Sequence, residues 1–577
     1  MTAALPDGET APHSFLTDLS TGRLDWNSWR TFPRQSRTEQ ELGDRLVAEA
    51  ATFFARRVDA TAVDDTRALP DGLLDDLQEH GYLRLVVPPE LGGRGLSPYT
   101  TFRLIAQACA HSVAVGQIVA IQNGVGAAAM LTALPPGPLR DFVGERLRTG
   151  TVSGFGDTDR AGQNNARPTL TATPVDGGYL LRGEKLFTGN GPVADLVAVS
   201  ATVPGAEGPK VGAFFLDTDT PGFSIGSRVE FMGSRGLPNA ALRFDDVHVP
   251  ADQVLLDPDG DQLPPLVGLV ALLGRIHFTG APAMAIARNC LAWSREFIAR
   301  RTIDGRPLGD YDEIQRTVTA TLADVYAMES AARWSLLADG LTDRWFERFL
   351  TKNLLVRGAW RTVDRTVSLH GGEGFETVAS KVRRGAVPVP LERALRDARG
   401  LRIAGNVDFQ LDNQLGRMLL ARFHDAADTD AGPAAHTAGD ALTAAEEIRD
   451  PGLSPANQEH LRAVARLVAD TRDLAADLVR RHPDPEQLHA EERPVVLLGR
   501  IAGELFNAVA VLARAAGDDP AADTEPWQHQ ELADVHVVEA RHRLAGLFAR
   551  SRNETEPDHA KISRRWLAGT HDQLVRH

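Results

Sequence analysis

Cysteine is almost missing from this 577-residue chain: Cys109 and Cys290 are its only two, and they lie far apart. That excludes a disulfide framework and any Cys-x-x-Cys metal or redox pair, and it makes a reducing cytoplasm the simplest home. Positive charge is in deficit as well. The formal net charge is −15, which argues against a nucleic-acid partner, because that needs a basic face. Long apolar runs are scarce. The longest, Leu266 to Leu273, is sized for a buried core and falls short of the roughly 18 residues of a membrane-spanning helix, so no membrane span is expected. The opening MTAALPDGETAPHS has no basic flank ahead of an apolar block, so no signal peptide is expected either. His248, His277 and His370 stand alone without ligand spacing, which leaves no metal site, and no Ser-His-Asp set carries its flanking motifs.

What is present is an ordinary globular composition, 43% apolar and 24% charged. The length implies about three to four domains. Residues 1–38 are polar and aperiodic and read as a mobile N-terminal extension. Over 39–150 the pattern is helical: LVAEAATFFARRV and LDDLQEHGYLRLVV place apolar residues three and four apart. A glycine-rich turn (PPELGGRGLS, 88–97) precedes one long Ala-rich helix predicted from about Thr100 to Leu134. Over 151–262 the period changes to short β-type runs such as DLVAVSATV and KVGAFFLDT, the pattern of a small antiparallel barrel. Long helices return over 263–425. AADTDAGPAAHTAGDA then marks a linker at 426–441, and a helical extension fills 442–577.

The most informative stretch is MGSRGLPNAALRFDDVHVP (232–250). It reads as a turn, then a half-buried strand with Ala241, Arg243 and Asp245 on one side and Leu242 and Phe244 on the other, stopped by Pro250. With ELGGRGLS (90–97), RTIDGRPL (301–308), LHGGEGF (369–375) and LERALRDAR (391–399), it resembles the acyl-CoA dehydrogenase superfamily of flavoproteins over roughly Leu69 to Phe423. The resemblance implies an α+β fold: an N-terminal helical domain, a central antiparallel β-domain and a four-helix bundle, followed here by an extra helical domain. It also implies FAD. Arg301 is then the arginine that reaches the cofactor's pyrophosphate across a subunit interface, and its planar, permanently charged fork suits that task. Gly371, Gly372 and Gly374 allow close backbone approach, with Ser368 standing where the family has glutamine. Phe187, in GEKLFTGNG (183–191), matches an aromatic that packs on the flavin ring. Thr158 lies in Asp157-Thr158-Asp159, where the family has Thr-Glu-Pro. Arg235 and Arg384 are candidates for binding substrate, the latter in a basic insertion, Lys381-Val382-Arg383-Arg384, suited to a phosphopantetheine phosphate or a carrier protein.

The implied reaction is α,β-dehydrogenation of an acyl thioester, on CoA or a carrier protein and in specialised metabolism. It calls for a carboxylate that takes the α-proton. The family places that glutamate at one of two positions, and here they read Gly405 and Gly274, the second just before Arg275. Asp408 is the candidate replacement, with Glu373 behind it. Two other readings stay open: a flavin-dependent monooxygenase of the same fold, which needs no base, and a non-catalytic scaffold. The expected partners are an electron acceptor (an electron-transfer flavoprotein or oxygen) and a second copy of the chain in a homodimer.

Overall fold

The computed structural model describes residues 13–162, 165, 167–206, 208–257, 262–338, 340–428, 438–517, 526–552 and 557–575. The N-terminal helices are Phe15–Thr21, Trp26–Arg30, Arg37–Arg57, Ala60–Thr66, Leu73–Glu79, Pro98–His111, Val113–Gly124, Ala127–Met130 and Pro138–Thr149. The single helix expected from about 100 to 134 is thus three. Ser112 closes the first with extended backbone (φ −147°, ψ 117°), and its hydroxyl caps the second by accepting from Val115 N. Every residue of Val113–Gly124 is buried.

Residues 13–38 correct the expectation of a mobile extension. Phe15, Leu19 and Trp29 have no solvent exposure and join a core shared with the bundle and the C-terminal helices. Trp29 stacks on Trp334 at 4.1 Å, and Trp26 Nε1 donates to Asp450 Oδ2 at 2.7 Å. Residues 1–12 lie outside the described residues.

The β-domain holds β1 (Ser153–Gly156), β2 (Thr171–Val175), β3 (Gly178–Gly189), β4 (Leu196–Val203), β5 (Lys210–Asp217), β6 (Phe223–Arg228), β7 (Asn239–Pro250) and β8 (Val254–Leu256). They run in the order β6-β7-β3-β2-β4-β5-β8, with β1 on β4. Pairing is antiparallel except for β1–β4 and β2–β4. In the next segment, Pro265–Arg275 runs through a π-turn, Ile276–Gly280, into Ala281–Arg300. Asp312–Leu336, Trp345–His370, Leu391–Leu401 and Asp408–Asp428 complete that layer. Pro455–Arg481, Glu492–Ala516 and Pro526–Ser551 are the long C-terminal helices. Most of the linker expected at 426–441 falls outside the described residues.

The count of long apolar helices also needs correction. Val113–Met130, Pro265–Arg300 and Glu492–Ala516 are each long and apolar enough to cross a membrane, but 94%, 72% and 78% of their apolar windows are buried inside the protein. Their apolarity is spent on internal packing.

Candidate cofactor site

One half of the site lies on the β-domain. β3 slips its register against β7 between Lys185 and Thr188. At that bulge Phe187 takes φ +57°, a conformation costly for a bulky residue, and stands 54% exposed. The neighbouring Leu186 N donates to Thr158 O at 2.8 Å, which joins the Asp157-Thr158-Asp159 loop to the same spot. Beneath it Lys185 has no exposure. Its Nζ donates to Asp157 O at 2.8 Å and to Ser200 Oγ at 3.0 Å, and lies 3.9 Å from Asp159 Oδ2. Ser200 Oγ donates in turn to Asp157 Oδ1 at 2.7 Å. Loss of water brings the Lys185 ammonium down to about 8, against the pull of Asp157 and Asp159.

The other half lies on the helices. Trp345–His370 ends at Gly371, φ +57°, whose N–H donates to Ser368 O at 3.2 Å. A Cβ on Gly371 or Gly372 would meet nothing within 4 Å, whereas one on Gly374 would press on Val367 O at 2.5 Å. The end of Ala281–Arg300 meets this turn through an Arg300–Glu373 ion pair of 3.1 Å and a Phe297–His370 ring contact of 4.2 Å. Arg301 follows, exposed. Its carbonyl accepts from Leu308 N at 2.9 Å across a hairpin turned by Asp304 (φ +50°) and Gly305 (φ +78°). Asp-Gly is suited to that left-handed pair, so the aspartate that departs from the family motif builds the turn. The Arg300–Glu373 and Phe297–His370 contacts bring the end of Ala281–Arg300, with Arg301 directly after it, up to the turn that holds Ser368, Gly371, Gly372 and Gly374, and Thr158 and Phe187 form a second group.

Two motifs dock on each other. Ser234 N donates to Asp397 Oδ1 at 2.6 Å, and Arg396 reaches Met232 O at 3.0 Å and Asp64 Oδ2 at 2.6 Å. Burial raises the Asp397 carboxyl to about 6, while the bond from Ser234 opposes it. Arg235, between them in sequence, has a buried Nε with no hydrogen-bond partner.

The base positions are held as glycine in different ways, Gly274 by close backbone packing and Gly405 by a left-handed backbone. A Cβ on Gly274 would overlap the carbonyl oxygen of Gly124 and come within 2.6 Å of Val125 Cγ1. Gly405 sits at φ +62°, and a Cβ there would be 3.2 Å from Arg275 Cγ. Neither replacement acid is poised as a base. Asp408 Oδ2 accepts from Arg402 Nη2 at 2.7 Å and Arg357 Nε at 3.3 Å. Although burial opposes it, Arg357 and Arg402 hold Asp408 below its ordinary range, the opposite of what proton abstraction needs. Glu373 is spent on Arg300. Arg384 is paired with Glu376 at 2.7 Å and Lys381 turns inward to Val389 O, which engages two of the insertion's three cations and leaves Arg383 exposed. Lys185, Ser200 and Lys352 were not singled out as site residues from the sequence, and Arg275 served there only to mark a base position; for Lys185 the signal was a lysine at an inward-facing strand position.

Comparison with known proteins agrees with this geometry. The acyl-CoA dehydrogenase N-terminal, middle and C-terminal domain models match residues 40–134, 155–247 and 273–418. The chain belongs to the acyl-CoA dehydrogenase family. It is 28% identical to the probable acyl-CoA dehydrogenase FadE10 of Mycobacterium tuberculosis over 590 residues, covering 97% of this chain and 89% of that one. It is 26% identical to benzylmalonyl-CoA dehydrogenase of Aromatoleum aromaticum over 359 residues, 62% of this chain and 92% of that one. The crystal structure of an acyl-CoA dehydrogenase from Bacillus anthracis, complexed with FAD, superposes with a TM-score of 0.75 at 18% identity, over 98% of this chain and 95% of that one. The fold is shared through the C-terminal helices, and the expected cofactor is the one bound there.

Proposed function

We propose that the protein is an FAD-dependent oxidoreductase that removes hydrogens from the α and β carbons of an acyl-CoA in specialised metabolism. FAD, when bound, would supply the acceptor for the β-hydride, and the α-proton would pass to water, since glycine at 405 and 274 offers no side-chain base. The observation that carries the reading is the strained, exposed Phe187 beside the Lys185-braced 157–159 loop, on a chain of this family. CoA is preferred over a carrier protein because Arg384 and Lys381 are engaged within their own loop. The usual catalytic glutamate is absent on this reading. An electron-transfer flavoprotein takes the electrons, two copies of the chain share the cofactor, and the cytoplasm is the compartment, in keeping with two buried free cysteines.

A second reading, a flavin monooxygenase, is favoured by one observation: neither base position carries a carboxylate, and Gly274 is packed too tightly against Gly124 to hold one. Anaerobic titration of the FAD-loaded protein with short-, medium- and long-chain acyl-CoAs separates the two. Bleaching of the visible flavin band by one thioester is the expected result. A flavin that stays oxidised with every thioester would overturn dehydrogenation and leave oxygenation or a scaffold role.

A further inference from the structure

Around Gly405 the chain carries positive charge that it does not neutralise. Arg275 is the last residue of Pro265–Arg275, its guanidinium carbon 5.8 Å from the Phe349 ring centroid. Among the described residues no carboxylate lies within ion-pair distance of it; Asp157 is the one acid near enough to favour its charge. Asp157 is already engaged, accepting from Ser200 Oγ at 2.7 Å and helping to offset Lys185. Lys352, 1% exposed, is the second cation here, and its Nζ donates to Asn406 O at 2.8 Å, next to Gly405. The acids nearest Lys352 are committed elsewhere. Asp408 is held by Arg402 and Arg357, and Asp412 by Arg357 Nη2 at 2.5 Å and Arg500 Nε at 2.9 Å. Arg275, half-buried, and Lys352, buried, thus flank a position where glycine supplies no anion. A half-buried guanidinium with no ion pair stays open to an anion arriving from outside, and beside a buried lysine that anion is held more strongly than at an open surface.

We propose that Arg275, with Lys352 beside it, receives a carboxylate carried on the acyl group of the substrate, so that the favoured ligands are CoA thioesters of dicarboxylic acids. This deepens the acyl-CoA reading above and rests on it. A guanidinium fork takes a carboxylate through two parallel hydrogen bonds, which gives orientation as well as affinity. Burial first, and then the charge of Arg275, bring Lys352 down to about 7, so an arriving carboxylate draws it toward its protonated form. The reduced flavin, itself able to carry negative charge, is the rival partner for Arg275, and the test is built to tell the two apart.

The FAD-loaded protein is titrated by calorimetry with matched pairs: malonyl-CoA against propionyl-CoA, succinyl-CoA against butyryl-CoA, and glutaryl-CoA against pentanoyl-CoA. In at least one pair the carboxylated member should bind about tenfold tighter or more, the worth of one charge-assisted contact. Arg275→Gln should remove that preference while the neutral member keeps its affinity, and Arg275→Lys should retain part of it. Equal affinity within every pair overturns the proposal. So does a loss in Arg275→Gln that falls alike on both members, or that shows only in the flavin spectrum, since either assigns Arg275 to the cofactor. If Arg275→Gln fails to keep FAD or to melt cooperatively, the wild-type preference and the Arg275→Lys variant decide. Binding of no member of any pair would instead sink the acyl-CoA reading itself.

Discussion

A lysine without solvent contact needs acceptors, and Lys185 finds a carbonyl, a hydroxyl and the field of two aspartates. The folded group titrates near 8, against an ordinary value of 10.5. Between those values the unfolded chain binds more protons, so stability rises with pH across that window; below it both states are protonated and the cost of the buried charge is constant. Lys185→Met should flatten the rise, read as urea denaturation midpoints from pH 7 to 10, and should weaken FAD binding by loosening the 157–159 loop. An unchanged slope would move the titration to Lys352, which is also depressed. At this scale the sequence was legible in local geometry: Gly371 and Phe187 take left-handed backbone and Arg301 stands exposed, each set by the residue itself. It was illegible where a distant residue decides. Asp408 looked free until Arg357, some fifty positions earlier in the chain, was folded against it, and Arg384 looked available until Glu376 faced it.

Among elements, β7 alternates from Leu242 to Asp245, with Arg243 out and Phe244 in. Asp246 (φ +54°) then bulges and puts two acids in solvent, while Ala241, expected beside Arg243, is buried. Helix ends were less readable. Ser112 divides an apolar stretch whose composition alone is continuous, since one capping hydroxyl outweighs helix propensity there. The N-terminal helices were missed for a related reason: at seven and five residues they are too short to show a period. The aromatics were the available signal, with Phe15, Trp26 and Trp29 close together ahead of the first long helix. Their placement makes residues 13–38 a clasp over the bundle and the C-terminal helices. Trp29 stacks on Trp334 and donates Nε1 to Asp18 Oδ2 at 2.7 Å. Trp29→Ala should therefore cost about 3–5 kcal/mol, the range for truncating a buried aromatic, measured by denaturant unfolding followed by tryptophan-independent circular dichroism. A loss below about 1 kcal/mol would mean that the clasp is dispensable.

For the whole molecule, the extra C-terminal helices are part of the main core rather than an appendage. Leu505 and Phe506 of Glu492–Ala516 are fully buried in the cluster that also holds Phe15, Trp334 and Leu411. Arg500 adds an ion pair to Asp412 at 2.9 Å. What this packing leaves at the surface is informative. Arg301, Ser368 and Phe187 remain exposed although they are the residues matched to the cofactor. Phe187 in addition holds a strained backbone. Strain and exposed aromatic surface persist where a bound group repays them, and a cofactor lying between two copies would cover both halves of the site at once. Light scattering should then find two chains per particle. Arg301→Ala should lower FAD affinity by about tenfold, the loss of one charge-assisted phosphate contact, without splitting that particle, because the guanidinium stands on an exposed hairpin and packs no core. Monomers in the wild-type protein that hold FAD at full occupancy would show instead that one chain builds the whole site, and Arg301 would lose its assigned role with the shared interface.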